Sequence, residues 1–177
     1  MILLMGVAGA GKSLEGRRLA DELGLPWLST GEFLRMLVSG ERRREMLAGK
    51  LLSDTEIIQL ADKIFRIIDT HEEFLLDGFP RTIEQAEWLF AQHKAGLMTI
   101  TCVLHLQASE QVVKERLLRR GRQDDTEESI AKRFAEYQAV TVPILQDLES
   151  KGVQVHHINA EQEPDVVHQD VLKVLQK

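Results

Sequence analysis

The segment from Gly6 to Ser13 constrains the fold of this chain more than any other stretch of the sequence. It reads Gly-Val-Ala-Gly-Ala-Gly-Lys-Ser, which fits the pattern GxxxxGKS/T, and it directly follows the apolar run Ile2–Met5. Glycines let a loop wrap closely around a polyphosphate, and a helix that begins at the end of the loop adds the positive end of its dipole. The pattern therefore predicts a strand, a phosphate-binding loop and a helix, in a chain that binds a nucleoside triphosphate.

Three residues in and beyond this loop have the chemistry of a phosphate and metal site. Lys12 is expected to reach the β- and γ-phosphates, and the hydroxyl group of Ser13 is expected to ligate Mg²⁺. Asp77 ends a second apolar strand, where a carboxylate can hold the same metal through a coordinated water. The turn that follows Asp77 directs Arg81 into the same crevice.

Length and composition are those of a single globular domain. The chain has 177 residues, of which 44% are hydrophobic, and a net charge of −6 that argues against nucleic acid or an anionic membrane as a partner. Its one cysteine, Cys102, excludes a disulfide framework and a cysteine-based zinc site, and suits a reducing cytoplasm. No apolar run approaches the ~18 residues of a membrane span, and the first residues do not resemble a signal peptide. We therefore expect a cytoplasmic protein.

Two adjacent histidines, His156 and His157, raise the question of a metal site. Neighbouring residues in a strand point to opposite faces, and no third ligand lies nearby in the sequence. The pair is therefore interpreted as the end of an ordinary strand.

Apolar runs alternate with helical patterns, which predicts an α/β fold. The strands are apolar on both faces, as in a buried parallel sheet, and the ligand crevice is expected at their carboxyl ends. The predicted strands cover 1–5, 26–29, 73–77, 100–106 and 153–158. The predicted helices cover 12–23, 31–38, 41–48, 54–69, 82–94, 109–119, 126–149 and 163–175.

Arginines concentrate around a short loop after the helix predicted over 109–119. A guanidinium group stays charged and its fork matches phosphate oxygens, so Arg120, Arg122 and Arg133 are favoured as ligands of a transferring phosphoryl group. The alternative is a solvated helix end, where the helix dipole favours cations. Arg116 is given this second interpretation, and is expected to pair with acids on its own helix.

Together these motifs resemble those of the adenylate kinases, in the nucleoside monophosphate kinase family. The similarity runs from residue 1 to about 160, and its most specific blocks are LLDGFPRTIEQAE over 75–87 and GRQDDTEESIAKRFAEY over 121–137. The resemblance implies a three-layer P-loop NTPase fold, with a five-stranded parallel sheet and helices on both faces. It also implies a single kinase domain over 1–177, with a helical insertion for the nucleoside monophosphate (NMP) over 29–58 and a minimal lid loop over 119–126.

The resemblance further implies a reaction, ATP + AMP ⇌ 2 ADP, which requires Mg²⁺ and is carried out by a monomer. It assigns four sets of residues. The catalytic residues are Lys12, Arg81, Arg122 and Arg133, and the metal residues are Ser13 and Asp77. The ATP-binding residues are Gly9, Ala10, Gly11, Lys12, Ser13, Leu14, Arg120 and Gln162; the AMP-binding residues are Thr30, Arg35, Lys50, Leu51, Leu52, Gly78, Phe79, Pro80, Arg81, Gln85, Arg122 and Arg133.

Some positions depart from the family pattern and leave alternatives open. Leu14 replaces a hydroxyl residue near the donor α-phosphate, and only Gly121 separates the two arginines of the lid, which leaves no room for a lid zinc site. Thr30 and Gln85 favour AMP, because an amide that both donates and accepts suits the adenine edge. The alternatives are a kinase with another or relaxed acceptor, such as CMP or UMP, and a nucleotide sensor without turnover.

Overall fold

A parallel β-sheet forms the centre of the protein in a computed structural model, which describes residues 1–41 and 52–176. The strand order is β2-β3-β1-β4-β5, and every neighbouring pair is parallel. The predicted α/β fold and its five parallel strands are confirmed, with strand ends that shift by at most two residues. The strands are β1 (Ile2–Met5), β2 (Trp27–Ser29), β3 (Leu75–Asp77), β4 (Cys102–Gln107) and β5 (Val155–Asn159).

Helices follow the strands in alternation. Most begin and end within two residues of their prediction, but the helix predicted over 54–69 ends at Phe65. The helix predicted over 41–48 lies almost entirely outside the described residues, as do Lys50 and Leu51. The described helices are α1 (Lys12–Leu23), α2 (Thr30–Leu37), α3 (Asp54–Phe65), α4 (Ile83–Lys94), α5 (Glu110–Arg120), α6 (Glu127–Glu136), α7 (Val142–Ser150) and α8 (Pro164–Leu175).

Each face of the sheet packs against its own layer of helices. Alternate residues of β1 point to opposite faces, so Leu3 joins the cluster formed with α3, α4 and α7, whereas Leu4 joins the cluster formed with α1, α5, α6 and α8. Both leucines are fully buried. The expected arrangement of three layers follows, and the carboxyl ends of the strands remain available at one edge of the sheet.

The helix predicted over 126–149 is confirmed as helical throughout, but a π-helical turn at Tyr137–Thr141, which was not predicted, divides it into α6 and α7. The backbone N–H of Val142 bonds the carbonyl oxygen of Tyr137, five residues earlier. Pro143 follows at once and has no N–H to donate, so the regular pattern of hydrogen bonds cannot continue through it. The turn carries the chain from one face of the sheet to the other, since Ile130 of α6 and Leu145 of α7 belong to different clusters.

Candidate active site

The phosphate-binding loop lies between β1 and α1, at the carboxyl edge of the sheet. The ammonium group of Lys12 donates hydrogen bonds to the carbonyl oxygens of Gly6 (2.7 Å) and Val7 (2.8 Å), two residues of the same loop. Burial lowers the pKa of Lys12 to about 8; Asp77 acts in the opposite direction, and two nearby arginines add to the lowering. Lys12 is a half-buried cation with positive neighbours, and an anionic ligand would stabilise it.

The glycines of the loop meet a geometric requirement. Gly6 has a φ of 142°, and a Cβ atom there would lie 2.4 Å from the carbonyl oxygen of Leu106 on β4. Gly11 has a φ of 100° and stands immediately before α1, where its positive φ turns the chain into the helix. The glycines of the motif are therefore required by the fold: Gly6 by its close approach to β4, and Gly11 by the start of α1.

Ser13 and Asp77 meet at the ends of neighbouring elements, as the sequence predicts. The hydroxyl group of Ser13, on α1, donates to the buried carboxylate of Asp77 at 2.8 Å. The register of β1 on β3 pairs Leu4 with Asp77, which brings the end of β3 beside the loop. A hydroxyl and a carboxylate are oxygen ligands of the kind that Mg²⁺ prefers. Within residues 1–41 and 52–176, no group of three or more His, Cys, Asp or Glu side chains forms a metal cluster.

Thr30, Gly78 and Arg81 meet where β2 and β3 end. The hydroxyl group of Thr30 and the Nε of Arg81 both contact the carbonyl oxygen of Gly78, at 2.9 and 2.8 Å. Gly78 has a φ of 81°, and a Cβ atom there would lie 2.8 Å from Arg81 Nη2. Loss of hydration lowers the pKa of Arg81, Asp77 opposes this effect, and Arg133 adds to the lowering. The Arg81 side chain is nevertheless exposed to solvent, so it is an accessible cation close to a second arginine.

Gln85 is buried, and both ends of its amide have partners. Its Oε1 accepts from the backbone N–H of Arg81 at 2.8 Å, and its Nε2 donates to Asp54 Oδ1 at 2.7 Å. Sequence reasoning identified residues 53–56 only as a helix start, and Ser53 and Glu56 do form a capping box there. The contact of Asp54 with Gln85 joins residues 31 positions apart and had no local signal.

Other residues assigned to AMP occupy different environments. Phe79 is fully buried and packs edge-on against Trp88, with ring centroids 5.9 Å apart, so its side chain belongs to the core. Pro80 is also buried, and the Phe79–Pro80 peptide bond is cis. Arg35 lies on α2, 3.9 Å from the carboxylate of Glu32. Leu52 is half-buried.

A buried carboxylate that sequence reasoning missed, Asp125, organises the arginines beyond α5. It accepts two hydrogen bonds from Arg120 (2.9 and 2.8 Å), one from Arg133 Nη2 (3.1 Å) and one from the backbone N–H of Arg122 (3.2 Å). Burial alone would raise the pKa of Asp125, but its bonds with Arg120 and Arg133 outweigh burial and lower it. These four residues are called the Asp125 cluster below.

The interpretation of Arg116 as a solvated residue at a helix end is wrong. Arg116 does not pair with acids on its own helix; its Nη1 donates to the carbonyl oxygen of Ala160, after β5, at 2.7 Å. Gln162 donates from Nε2 to Asn159 O and Asp170 Oδ2, both at 3.1 Å. Leu14 is 52% exposed on α1, beside the loop.

Comparison with known proteins agrees with this arrangement. A family model described as adenylate kinase matches residues 4–153. The adenylate kinase of Corynebacterium glutamicum (strain R) is 36% identical over 182 residues, which cover 99% of each chain. That of Corynebacterium urealyticum is 35% identical over 99% of each chain. That of Mycobacterium tuberculosis is 38% identical over 151 residues, or 82% of this chain and 83% of the relative. The match over most of the length, together with the loop, strand and arginine geometry, shows that the chain belongs to the adenylate kinase family.

Proposed function

We propose that the chain catalyses reversible phosphoryl transfer from ATP to AMP, giving two ADP, with Mg²⁺ on the triphosphate. Lys12 and the backbone of its loop bind the β- and γ-phosphates of ATP. Arg81, together with Arg35, binds the phosphate of AMP on the opposite side of the transferred group. Arg122 and Arg133 bind the transferred group itself. Phosphoryl transfer needs in-line positioning and neutralisation of spread negative charge more than covalent help, and these residues supply both.

One observation carries this assignment: cations from five parts of the chain are close enough to lower one another's pKa. Arg81 and Arg120 lower that of Lys12, Arg133 lowers that of Arg81, and Arg120 and Arg35 lower that of Arg122, each in addition to burial. Such convergence is unfavourable by itself and becomes favourable when the triphosphate of ATP and the phosphate of AMP enter. A nucleotide carrier with one binding site would need only part of this set.

The oxygen ligands at the end of β3 fit Mg²⁺. Ser13 would ligate the ion directly and Asp77 would hold it through water, because their oxygens already lie 2.8 Å apart beside the loop. When bound, Mg²⁺ neutralises charge on the β- and γ-phosphates. Asp77 also keeps the Ser13 hydroxyl oriented before nucleotide arrives.

The amide of Gln85 supports AMP as the acceptor. Its bonds to Arg81 N and Asp54 fix which end is oxygen and which is nitrogen. One N–H and one oxygen lone pair remain, and they complement the N1 acceptor and N6 amine of adenine. A base with a different edge would leave at least one of these buried groups unsatisfied, which costs about 1–3 kcal/mol for each group.

The remaining proposals concern setting and partners. We expect a cytoplasmic monomer whose partners are nucleotides. A net charge of −6 disfavours polyanionic surfaces, and the single cysteine, Cys102, is buried with its pKa raised to about 11 by that burial. No described helix is long and apolar enough to cross a membrane.

A coupled assay tests the proposed reaction directly. With ATP, Mg²⁺ and AMP, CMP, UMP or GMP as acceptor, we expect AMP to exceed UMP and GMP in kcat/KM by at least about tenfold, the factor that one unsatisfied buried group produces. Arg81→Ala should raise the KM for AMP strongly, whereas Arg119→Ala, at the exposed end of α5, should not. Binding of ATP without any ADP formation would show a sensor instead of an enzyme. Equal rates with all four acceptors would refute the choice of AMP.

A further inference from the structure

A second group of chemically active side chains lies where β4, β5 and α7 border an open cavity of about 520 Å³. His105 and His157 are register partners on these adjacent parallel strands, so their imidazoles project side by side from the same face. Their Nδ1 atoms lie 2.9 Å apart. The sequence interpretation of His157 as an ordinary strand end considered only nearby ligands, and His105 is 52 residues away.

Each imidazole is oriented through its other nitrogen. His157 Nε2 lies 3.1 Å from Glu149 Oε1 on α7, and His105 Nε2 contacts the hydroxyl group of Tyr137 in the π-helical turn. An ionised carboxylate only accepts hydrogen bonds, so His157 carries its proton on Nε2 and presents Nδ1 as a bare lone pair. Histidines that bind metals are commonly held in this way, with the distant nitrogen bonded to a carboxylate or another polar group.

The proton between the two rings can be accounted for. Without a metal, His105 donates from Nδ1 to the lone pair of His157 and accepts from the hydroxyl group of Tyr137. Moving that proton to Nε2 of His105, where Tyr137 then accepts it, leaves two bare Nδ1 atoms 2.9 Å apart. With bonds of about 2.0–2.1 Å, this separation suits two adjacent positions around one metal ion. The shift releases no proton and moves no backbone.

We infer that His105 Nδ1 and His157 Nδ1 bind one divalent transition-metal ion of the class of Zn²⁺ or Ni²⁺. Imidazole nitrogen favours these ions over Mg²⁺, so the site is chemically distinct from Ser13 and Asp77. Gln107, whose amide nitrogen lies 3.4 Å from His157 Nδ1, supplies a third ligand when the amide turns its oxygen inward. Water in the cavity completes the coordination.

The surroundings favour a cation over an anion. Glu149 and Glu161 line the cavity, and the described residues that line it include no lysine or arginine.

Titration calorimetry with zinc chloride at pH 7.5 tests the site, in excess MgCl₂ so that Mg²⁺ occupies the oxygen ligands of the nucleotide crevice. We expect one zinc ion per chain, bound at least tenfold more weakly by His105→Gln and by His157→Gln. His71→Gln, which changes an exposed histidine on another loop, is the matched control and should bind as the unchanged protein does. Glu149→Gln should weaken binding by about tenfold or more, through loss of the carboxylate that orients His157.

A second measurement separates loss of the site from loss of the fold. Zinc should raise the Tm of the unchanged protein and of His71→Gln but not that of His157→Gln, because only a ligand of the folded state stabilises it. His157→Gln should keep its kinase rate with Mg²⁺. Absence of stoichiometric zinc binding by the unchanged protein would show that the two histidines form a hydrogen-bonded pair only, and would overturn the inference. So would undiminished binding by both histidine variants.

Discussion

Replacing Asp125 by alanine should destabilise the protein, because this carboxylate holds arginines from two helices. Its side chain is fully buried and accepts three hydrogen bonds from guanidinium groups and one from the backbone. A hydrogen bond to a charged group contributes about 1.5–3 kcal/mol, but Arg120 and Arg133 are 33% and 25% exposed, so water replaces part of what is lost. We expect the free energy of unfolding to fall by about 2–4 kcal/mol, including the repulsion between Arg120 and Arg122, since Arg133 keeps an ion pair with Asp124 at 3.4 Å.

The same change should lower kcat more than it raises the KM for AMP. Arg133 and Arg122 are assigned to the transferred group, whereas AMP is held mainly by Arg81 and Arg35, which do not contact Asp125 in the hydrogen bonds described. An arginine that Asp125 no longer holds in position would stabilise the transition state less, by about 2–4 kcal/mol, which corresponds to a roughly 30- to 1000-fold lower kcat. Asp125→Asn keeps the shape of the side chain and loses its charge, so it should retain part of the stability and little of the rate.

Urea unfolding and the coupled kinase assay, applied to the same preparations, measure both effects. Asp165→Ala is the matched control, since Asp165 forms an ion pair with Arg18 but is 90% exposed; it should change stability by no more than about 1 kcal/mol and leave kcat unchanged. A variant of Asp125 with the stability and kcat of the unchanged protein would refute the idea that this carboxylate organises the site.

Three further predictions address other parts of the molecule. Lys12→Met should lower kcat by a factor that corresponds to about 2–4 kcal/mol with the fold intact, and a near-normal kcat would contradict the loop assignment. Gln85→Ala should reduce the kcat/KM preference for AMP over UMP and GMP, whereas unchanged ratios would locate base selection elsewhere. His168 bridges Glu22 (2.7 Å) and Glu15 (2.8 Å); burial alone would lower its pKa, but these bonds outweigh burial and raise it above 6.5. Its contribution to stability is therefore complete below about pH 6.5 and is lost as pH rises through the raised pKa, so unfolding measured against pH should show this loss in the unchanged protein and not in His168→Gln.

The strands could be predicted because their signal is local. Runs such as 101–104 are apolar on both faces, and this pattern is typical of a buried parallel strand. The break between α6 and α7 was missed although Pro143 was visible in the sequence. Helical periodicity continues through the π-helical turn, so the pattern of apolar residues alone does not reveal it.

The residues of the candidate site likewise include some with a local sequence signal and some without one. Lys12 and Ser13 lie within one continuous motif. Asp77 could be assigned to the same site because the carboxyl ends of parallel strands lie at the same edge of a sheet. Asp54 and Asp125 were missed because their roles depend on partners elsewhere in the fold. A carboxylate in a polar segment is usually exposed to solvent, so neither residue was expected to be part of a site. Burial distinguishes Asp125 from a solvated acid, and burial is a property of the fold and not of the local sequence.

The Asp125 cluster also offers a reason why the lid loop that we propose over 119–126 can be so short. Gly121 ends α5 with a φ of 66°, and the backbone N–H of Asp125 donates to the carbonyl oxygen of Arg122 at 2.9 Å, so the loop is a tight turn closed on itself. A larger lid would position its arginines through the surrounding polypeptide, whereas here one buried carboxylate does so through hydrogen bonds. A guanidinium group has five N–H donors, so Arg120 and Arg133 can bond phosphate oxygens while they keep their hydrogen bonds to Asp125. We therefore expect both arginines to remain bonded to Asp125 when the two substrates are bound, and Asp125 to hold them in place for the transferred phosphoryl group.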